Sequence, residues 1–212
     1  MSLQGKVAVV TGGTGTLGLA AVRVLLEDGA RVALVDLDAL RLDMLSRFLR
    51  GERIVVAADV CDAAAVRAAH ERVAADLGPV DILVNAAGGS SDTGVAATDE
   101  AAWRRILAAR VSGTFLWSRE VFPAMLARGF GRIVNVAGRA SATAPGGPAD
   151  AAAGGAIAAL TASLAREGAP RGVTVNAIAP AFVRSSSAGV PLTDAQERQM
   201  LATIPAARFG EP

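Results

Sequence analysis

The stretch from Lys6 to Gly18, KVAVVTGGTGTLG, constrains the fold of this chain more than any other. Val7, Ala8, Val9 and Val10 leave no polar face, the pattern of a strand buried on both sides of a parallel sheet. Gly12, Gly13, Gly15 and Gly18 follow at once. Leu17, Ala21, Val24 and Leu25 then recur at helical spacing, so the glycines, with Thr14 and Thr16 among them, occupy a turn from strand to helix. Gly13-x-Gly15-x-x-Gly18 is a dinucleotide fingerprint: a tight turn there lets backbone N–H groups approach a pyrophosphate whose charge the helix N-terminus stabilises. A second apolar run, Val32 to Val35, ends in Asp36, near the ~20-residue offset at which an acidic group meets the adenosine ribose. The competing use of Asp36 is to start the turn Asp36-Leu37-Asp38 or to help cap the next helix. A carboxylate at this point repels a 2′-phosphate and Leu37 brings no cation, which selects NAD over NADP.

The remaining pattern alternates strand and helix. Leu40, Met44, Leu45 and Phe48 predict a second helix ended by Gly51, and Ile54 to Ala58 a third strand. Asp62 is placed to cap a helix reaching about Leu77 with Val66, Ala69, Val73 and Leu77 inward. Ile82 to Val84 is a fourth strand, Trp103 to Phe122 a long helix with Ile106, Leu107, Val111, Phe115 and Leu116 on its apolar side, and Ile133 to Val136 a fifth strand. Ala151 to Glu167 is another helix and Val173 to Ile178 a sixth strand. Gly113 inside the long helix costs roughly 1 kcal/mol against alanine, which calls for a close neighbour. This order predicts a Rossmann-type α/β domain over residues 1–212, a doubly wound parallel sheet with helices on both faces and a ligand crevice at the C-terminal strand ends.

Composition narrows the function classes. A formal net charge of +1 offers no broad electrostatic surface for nucleic acid. One cysteine, Cys61, excludes an internal disulfide and fits a reducing compartment. The first strand begins so soon after Met1 that a cytoplasmic protein without a leader is expected, and no uncharged run reaches the ~20 residues of a membrane span. His70, the one histidine, falls within a helix with no constellation around it.

The motifs, taken in order, resemble the short-chain dehydrogenase/reductase family across essentially the whole chain. The matching pieces are Thr11 to Gly18, Asp59-Val60, Asn85-Ala86-Ala87-Gly88, Gly131-Arg132-Ile133-Val134-Asn135-Val136 and Val175-Asn176-Ala177-Ile178-Ala179-Pro180. Thr16 stands where the family's main branch has glycine, so the glycine spacing is similar to its extended and atypical branches. The resemblance implies that Gly12, Gly13, Thr14, Gly15, Thr16, Leu17 and Gly18 hold the pyrophosphate and Asp36 with Leu37 the adenosine ribose. It implies that Asp59 and Val60 meet the adenine and that Asn85, Ala86 and Gly88 flank the ribose side. Pro180, Val183 and Ser185 resemble the segment facing the nicotinamide amide.

The family's catalytic groups find no counterpart. It moves a hydride between substrate carbon and nicotinamide with a tyrosine as general acid/base, a lysine four residues later, a serine that polarises the substrate oxygen and an asparagine that holds a relay water. The resemblance puts Asp150 at the tyrosine position, Gly154 at the lysine, Ala137 or Gly138 at the serine and Arg110 at the asparagine. The chain contains no tyrosine at all, so no shift of register restores one. A carboxylate with a reference pKa near ~4 is a poor acid for this step.

Two readings follow from that substitution, with a conventional NAD-dependent oxidoreductase third. In the first the chain senses NAD(H), or pairs with an active relative as a non-catalytic subunit. The family packs the Ala151–Glu167 helix against its copy, which implies a homodimer or tetramer. In the second, Asp150 and Arg110 run an elimination, isomerisation or cyclisation, with Asp92 and Arg139 as weaker candidates and Ser141 as a displaced serine; a plain salt bridge is the competing use of the pair. A substrate loop is expected over residues 184–204, with Thr193-x-x-Gln196 as a capping box inside it and Met200 and Leu201 inward. The family continues past the position of Pro212 with a helix and a strand. Without them the sixth strand would be an open edge.

Overall fold

The computed structural model describes residues 2–89, 93–138, 147–184 and 193–212. Six strands rich in valine and isoleucine pair side by side, all parallel, in the order β3-β2-β1-β4-β5-β6. They are β1 (Val7–Thr11), β2 (Arg31–Asp36), β3 (Arg53–Ala57), β4 (Ile82–Asn85), β5 (Gly131–Val136) and β6 (Val173–Ile178). Strand order reverses between β1 and β4, and the register sets Thr11 beside both Val35 and Asn85, and Asn85 beside Asn135. The strand ends around that reversal form the crevice in which such folds bind ligands.

The intervening helices are α1 (Thr16–Glu27), α2 (Ala39–Ser46), α3 (Ala63–Asp76), α4 (Glu100–Leu107), α5 (Gly113–Arg128), α6 (Pro148–Gly168) and α7 (Asp194–Leu201). One core joins the sheet to Val66 and Val73 of α3 and Trp117, Val121 and Met125 of α5; the other joins it to Val22 and Leu26 of α1 and Leu42 of α2. Both faces are therefore clothed, as the alternating pattern requires. A cleft of about 690 Å³ remains beside α1, lined among others by Leu17, Ala21, Val24, Val134, Ile178 and Pro212. Among the described residues no helix is long and apolar enough to cross a membrane.

Local expectations hold where a single interaction fixes them. Asp62 accepts from the N–H groups of Ala64 and Ala65, and Val66, Ala69, Val73 and Leu77 are buried. Thr193 and Gln196 cap one another reciprocally at α7. A Cβ on Gly113 would stand 2.8 Å from Val60 Cγ2, the close neighbour its position demanded.

Helix rotation departs from the sequence reading. The buried line of α1 is Gly18, Val22 and Leu26; of the expected inner residues Ala21 and Leu25 pack partly buried against the same core, whereas Val24 is 58% exposed. Gly18 decides this, because a Cβ there would overlap the Gly12 carbonyl and only glycine can turn to the strand. In α2 the inward residue is Leu42, while Leu40, Met44 and Phe48 face solvent; Asp38, accepting from the Arg41 N–H, sets where the helix begins. Phe115 is also exposed. The single long helix breaks into α4 and α5 around a π-helical turn at Ala108–Ser112, and α6 begins at Pro148, before Ala151, because proline at a first helical turn needs no N–H partner.

Candidate functional site

The glycine turn is held from two sides. Gly12, at φ +64°, closes it, with Gly15 N–H donating to the Gly12 carbonyl at 2.9 Å, and a Cβ on Gly12 would lie 2.7 Å from the Ala86 carbonyl oxygen. Thr11 Oγ1 accepts from the N–H groups of Ala86 and Ala87 at 3.2 and 3.3 Å, which draws the end of β4 against the turn. On the other side Asp36 Oδ2 accepts from Thr14 N–H at 3.0 Å and Thr14 Oγ1 at 2.7 Å, while its Oδ1 accepts from Leu37 N–H. Asp36 thus locks the turn and leaves the capping of α2 to Asp38. Gly15 opens α1 with no side-chain cap, and no acidic residue stands in that first turn. A helix N-terminus of this kind, reached through a turn in which side chains would collide, fits a pyrophosphate.

The other expected contacts are spread along the same strand ends. Asp59 lies exposed beyond β3, accepting from Cys61 N–H at 2.8 Å, and Val60 is buried against Gly113. Asn85 turns its side chain inward: Nδ2 donates to Asn135 Oδ1 at 2.9 Å and reaches Ser118 Oγ at 3.4 Å, and Asn135 Nδ2 donates to Thr161 Oγ1 at 2.9 Å. Its Nδ2 is thus taken up inside the fold, while its Oδ1 is buried without a hydrogen-bond partner among the described residues. Pro180 is half-buried past β6, and Val183 bridges to Gly210. Ser185, Asp92, Arg139 and Ser141 lie outside the described residues.

Arg110 and Asp150 meet. Arg110 sits in the π-helical turn that follows α4, whose Ile106 packs on Ala149 and Ala153 of α6, and it reaches Asp150 in the first turn of α6. Nη1 pairs with Asp150 Oδ1, Nη2 donates to the Ala137 carbonyl, and the two side chains are 7% and 5% exposed. The arginine fits because two glycines make way: a Cβ on Gly88 would overlap its Cγ, and one on Gly138 would overlap Nη2. Both have positive φ, +140° and +66°. Gly154 is buried one turn further along α6. Arg110, Asp150, Ala137 and Gly138 therefore converge on one packed cluster.

Neither remaining titratable candidate belongs to it. Burial, with the Asp59 carboxylate beside it, pushes the Cys61 thiol up to about 11, which makes it a poor nucleophile. Burial holds His70 below its usual value against the opposing pull of Glu120 and Glu71, on a different helix from the pair. Sequence reasoning missed Thr11 and the Asn85–Asn135–Thr161 chain. The inward parity of Asn135 between Ile133 and its neighbours on β5 was the available signal.

A family model for the short chain dehydrogenases matches residues 6–196. The chain belongs to the short-chain dehydrogenase family. Galactitol 2-dehydrogenase (L-tagatose-forming) of Cereibacter sphaeroides is 39% identical over 220 residues, covering 99% of this chain and 84% of that protein. The 3-oxoacyl-(acyl-carrier-protein) reductase of Escherichia coli is 33% identical over 211 residues, covering 99% and 86%. Among solved structures, NAD+-bound xylitol dehydrogenase superposes with a TM-score of 0.91 at 30% identity, covering all of this chain and 89% of that one. This member of the family shares the fold of that structure and carries a buried Arg110–Asp150 ion pair beside the end of β5.

Proposed function

We propose that this member of the family binds a nicotinamide dinucleotide, NAD(H) in preference to NADP(H), and does not carry out the family's hydride transfer, acting as a dinucleotide sensor or as the non-catalytic partner of an active relative. The observation that carries the reading is the buried Arg110–Asp150 pair, packed between Gly88 and Gly138, which the resemblance aligns with the family's proton-handling groups. The dinucleotide, when bound, supplies a hydride donor or acceptor. This chain's part is to hold it: the α1 N-terminus and Gly12 to Gly18 at the pyrophosphate, Asp36 at the adenosine ribose, and Asp59 and Val60 at the adenine. Asp36 also sets cofactor choice, since its carboxylate opposes a 2′-phosphate. Gly154 has no proton to give, and the chain contains no tyrosine to serve as the family's acid.

Titration with NADH and with NADPH, followed by nicotinamide fluorescence, tests the binding half. NADH is expected to bind about tenfold more tightly or better. Assays on polyols, 3-oxoacyl thioesters and simple ketones test the other half. Turnover by the unaltered chain overturns the reading. Activity gained only after Arg110→Asn, Gly138→Ser, Asp150→Tyr and Gly154→Lys are combined supports it.

A further inference from the structure

A chain of buried side-chain hydrogen bonds runs from α6 across the sheet and comes to an open end at β4. Asn85 on β4 and Asn135 on β5 are neighbours in the parallel register. Asn85 Nδ2 donates to Asn135 Oδ1, and Asn135 Nδ2 to Thr161 Oγ1 on α6, both at 2.9 Å. Thr161 Oγ1 gives its own proton to the Ile157 carbonyl at 2.7 Å. That last bond sets the direction of the others: a hydroxyl whose proton is committed can only accept, so Asn135 turns its NH2 group to Thr161 and its oxygen to Asn85. Asn85 must then donate, and its Oδ1 is left buried with no partner among the described residues. Turning both amides over moves the problem without removing it. Thr161 would donate to Asn135 and Asn135 to Asn85, and the unpaired edge of Asn85 would be its NH2 group instead.

Ser118 on α5 brings a second incomplete group to the same amide. Its Oγ lies 3.4 Å from Asn85 Nδ2, and its proton finds no acceptor among the described residues. Asn85 and Ser118 are 3% and 1% exposed, so bulk solvent completes neither. Buried polar groups in folded chains are almost always paired, because a bare amide edge in the interior forfeits its hydration with no return. We infer that one ordered water is built into the interior between β4 and α5, bonded to the open edge of the Asn85 amide and to Ser118 Oγ. Water is the partner that fits: it donates to Oδ1 while accepting the serine proton, and with the amides reversed it accepts from the NH2 group instead. Two polar partners are the fewest that hold a buried water. Asn85 runs directly into Ala86, so this water backs the strand end from which the Ala86–Gly88 segment departs.

A crystal structure of the full chain at about 1.2 Å resolution, where the amide orientations can be read as well, tests this directly. It is expected to show one water within about 3.2 Å of both the Asn85 amide edge and Ser118 Oγ. An edge walled off by carbon atoms alone, or a Ser118 hydroxyl bonded straight to it, overturns the proposal. In solution, magnetic relaxation dispersion of the water oxygen counts long-lived internal waters. Ser118→Ala leaves the site a single polar partner and is expected to lower that count by one at unchanged circular dichroism; Ser118→Val, which also fills the space with a methyl group, is expected to do the same. A folded variant that keeps the parent's count overturns the proposal too, and the crystal structure of the unaltered chain decides the matter if both variants fail to fold.

Discussion

At the glycine turn the backbone makes the space and side chains stay out of it, whereas at Arg110 and Asp150 side chains fill the space that two glycines leave. Gly12 and Gly18 approach so closely that a Cβ on Gly18 would overlap the Gly12 carbonyl, and the resulting hollow ends in an α1 N-terminus without a side-chain cap. Gly88 and Gly138 are as tightly placed, yet their neighbour is the arginine itself. The same residue type thus lets two backbone segments meet at one strand end and makes room for a buried side chain at another. A glycine in a strand-end loop carries no function until its neighbour is known.

The largest effect is expected from breaking the ion pair. Asp150→Leu leaves a buried guanidinium that, among the described residues, keeps the Ala137 carbonyl as its partner, at a cost of about 3–5 kcal/mol. Thermal unfolding should fall by roughly 10 °C for a chain of this size. Adding Arg110→Met should recover most of it; a single variant as stable as the parent would mean that the pair is solvated and the two ends are not so different. At the glycine turn, Gly18→Ala forces α1 away from β1 and should cost about 2 kcal/mol. NADH binding by the folded fraction should weaken by about a hundredfold, whereas the Asp150→Leu/Arg110→Met double variant should keep it within about threefold. Equal losses of binding in both would erase the contrast.

Asp36→Asn comes next. It weakens the charge-assisted bonds to Thr14 and should cost about 1–2 kcal/mol in denaturant unfolding. It should also narrow the preference for NADH over NADPH. The smallest change lies outside both ends, at His70. Its pKa is lowered in the fold from 6.5, so below pH 6.5 the unfolded chain takes up a proton that the folded chain resists, and stability falls as pH drops through that window. His70→Gln should flatten that slope slightly without moving NADH affinity, as a stability series at pH 5.5 to 7.5, values about the reference pKa of histidine, would record.

What could be read before the fold was known has a common physical character. Asp62 at α3 and the Thr193–Gln196 box are local: donor and acceptor lie within three residues, and any chain with that spacing can form them. The rotation of α1 and α2 could not be read this way. Leu40, Met44 and Phe48 recur at a helical period as regular as that of any buried face, and only Leu42 against the sheet shows which side was chosen. At the site, the absence of tyrosine was decisive from composition, but nothing local says that Arg110 reaches Asp150 across forty residues.

The sequence by itself determined the order of strands and helices, the glycine turn and the absence of any tyrosine, because periodicity, turn chemistry and residue identity act over a few neighbours. The tertiary structure alone decided that Arg110, Ala137, Gly138 and Asp150 share one buried cluster, that Asp36 fastens Thr14, and that α2 turns an apolar stripe outward. Those outcomes depend on which surfaces the parallel register brings within contact distance, and contact between segments far apart in the chain leaves no period in the sequence.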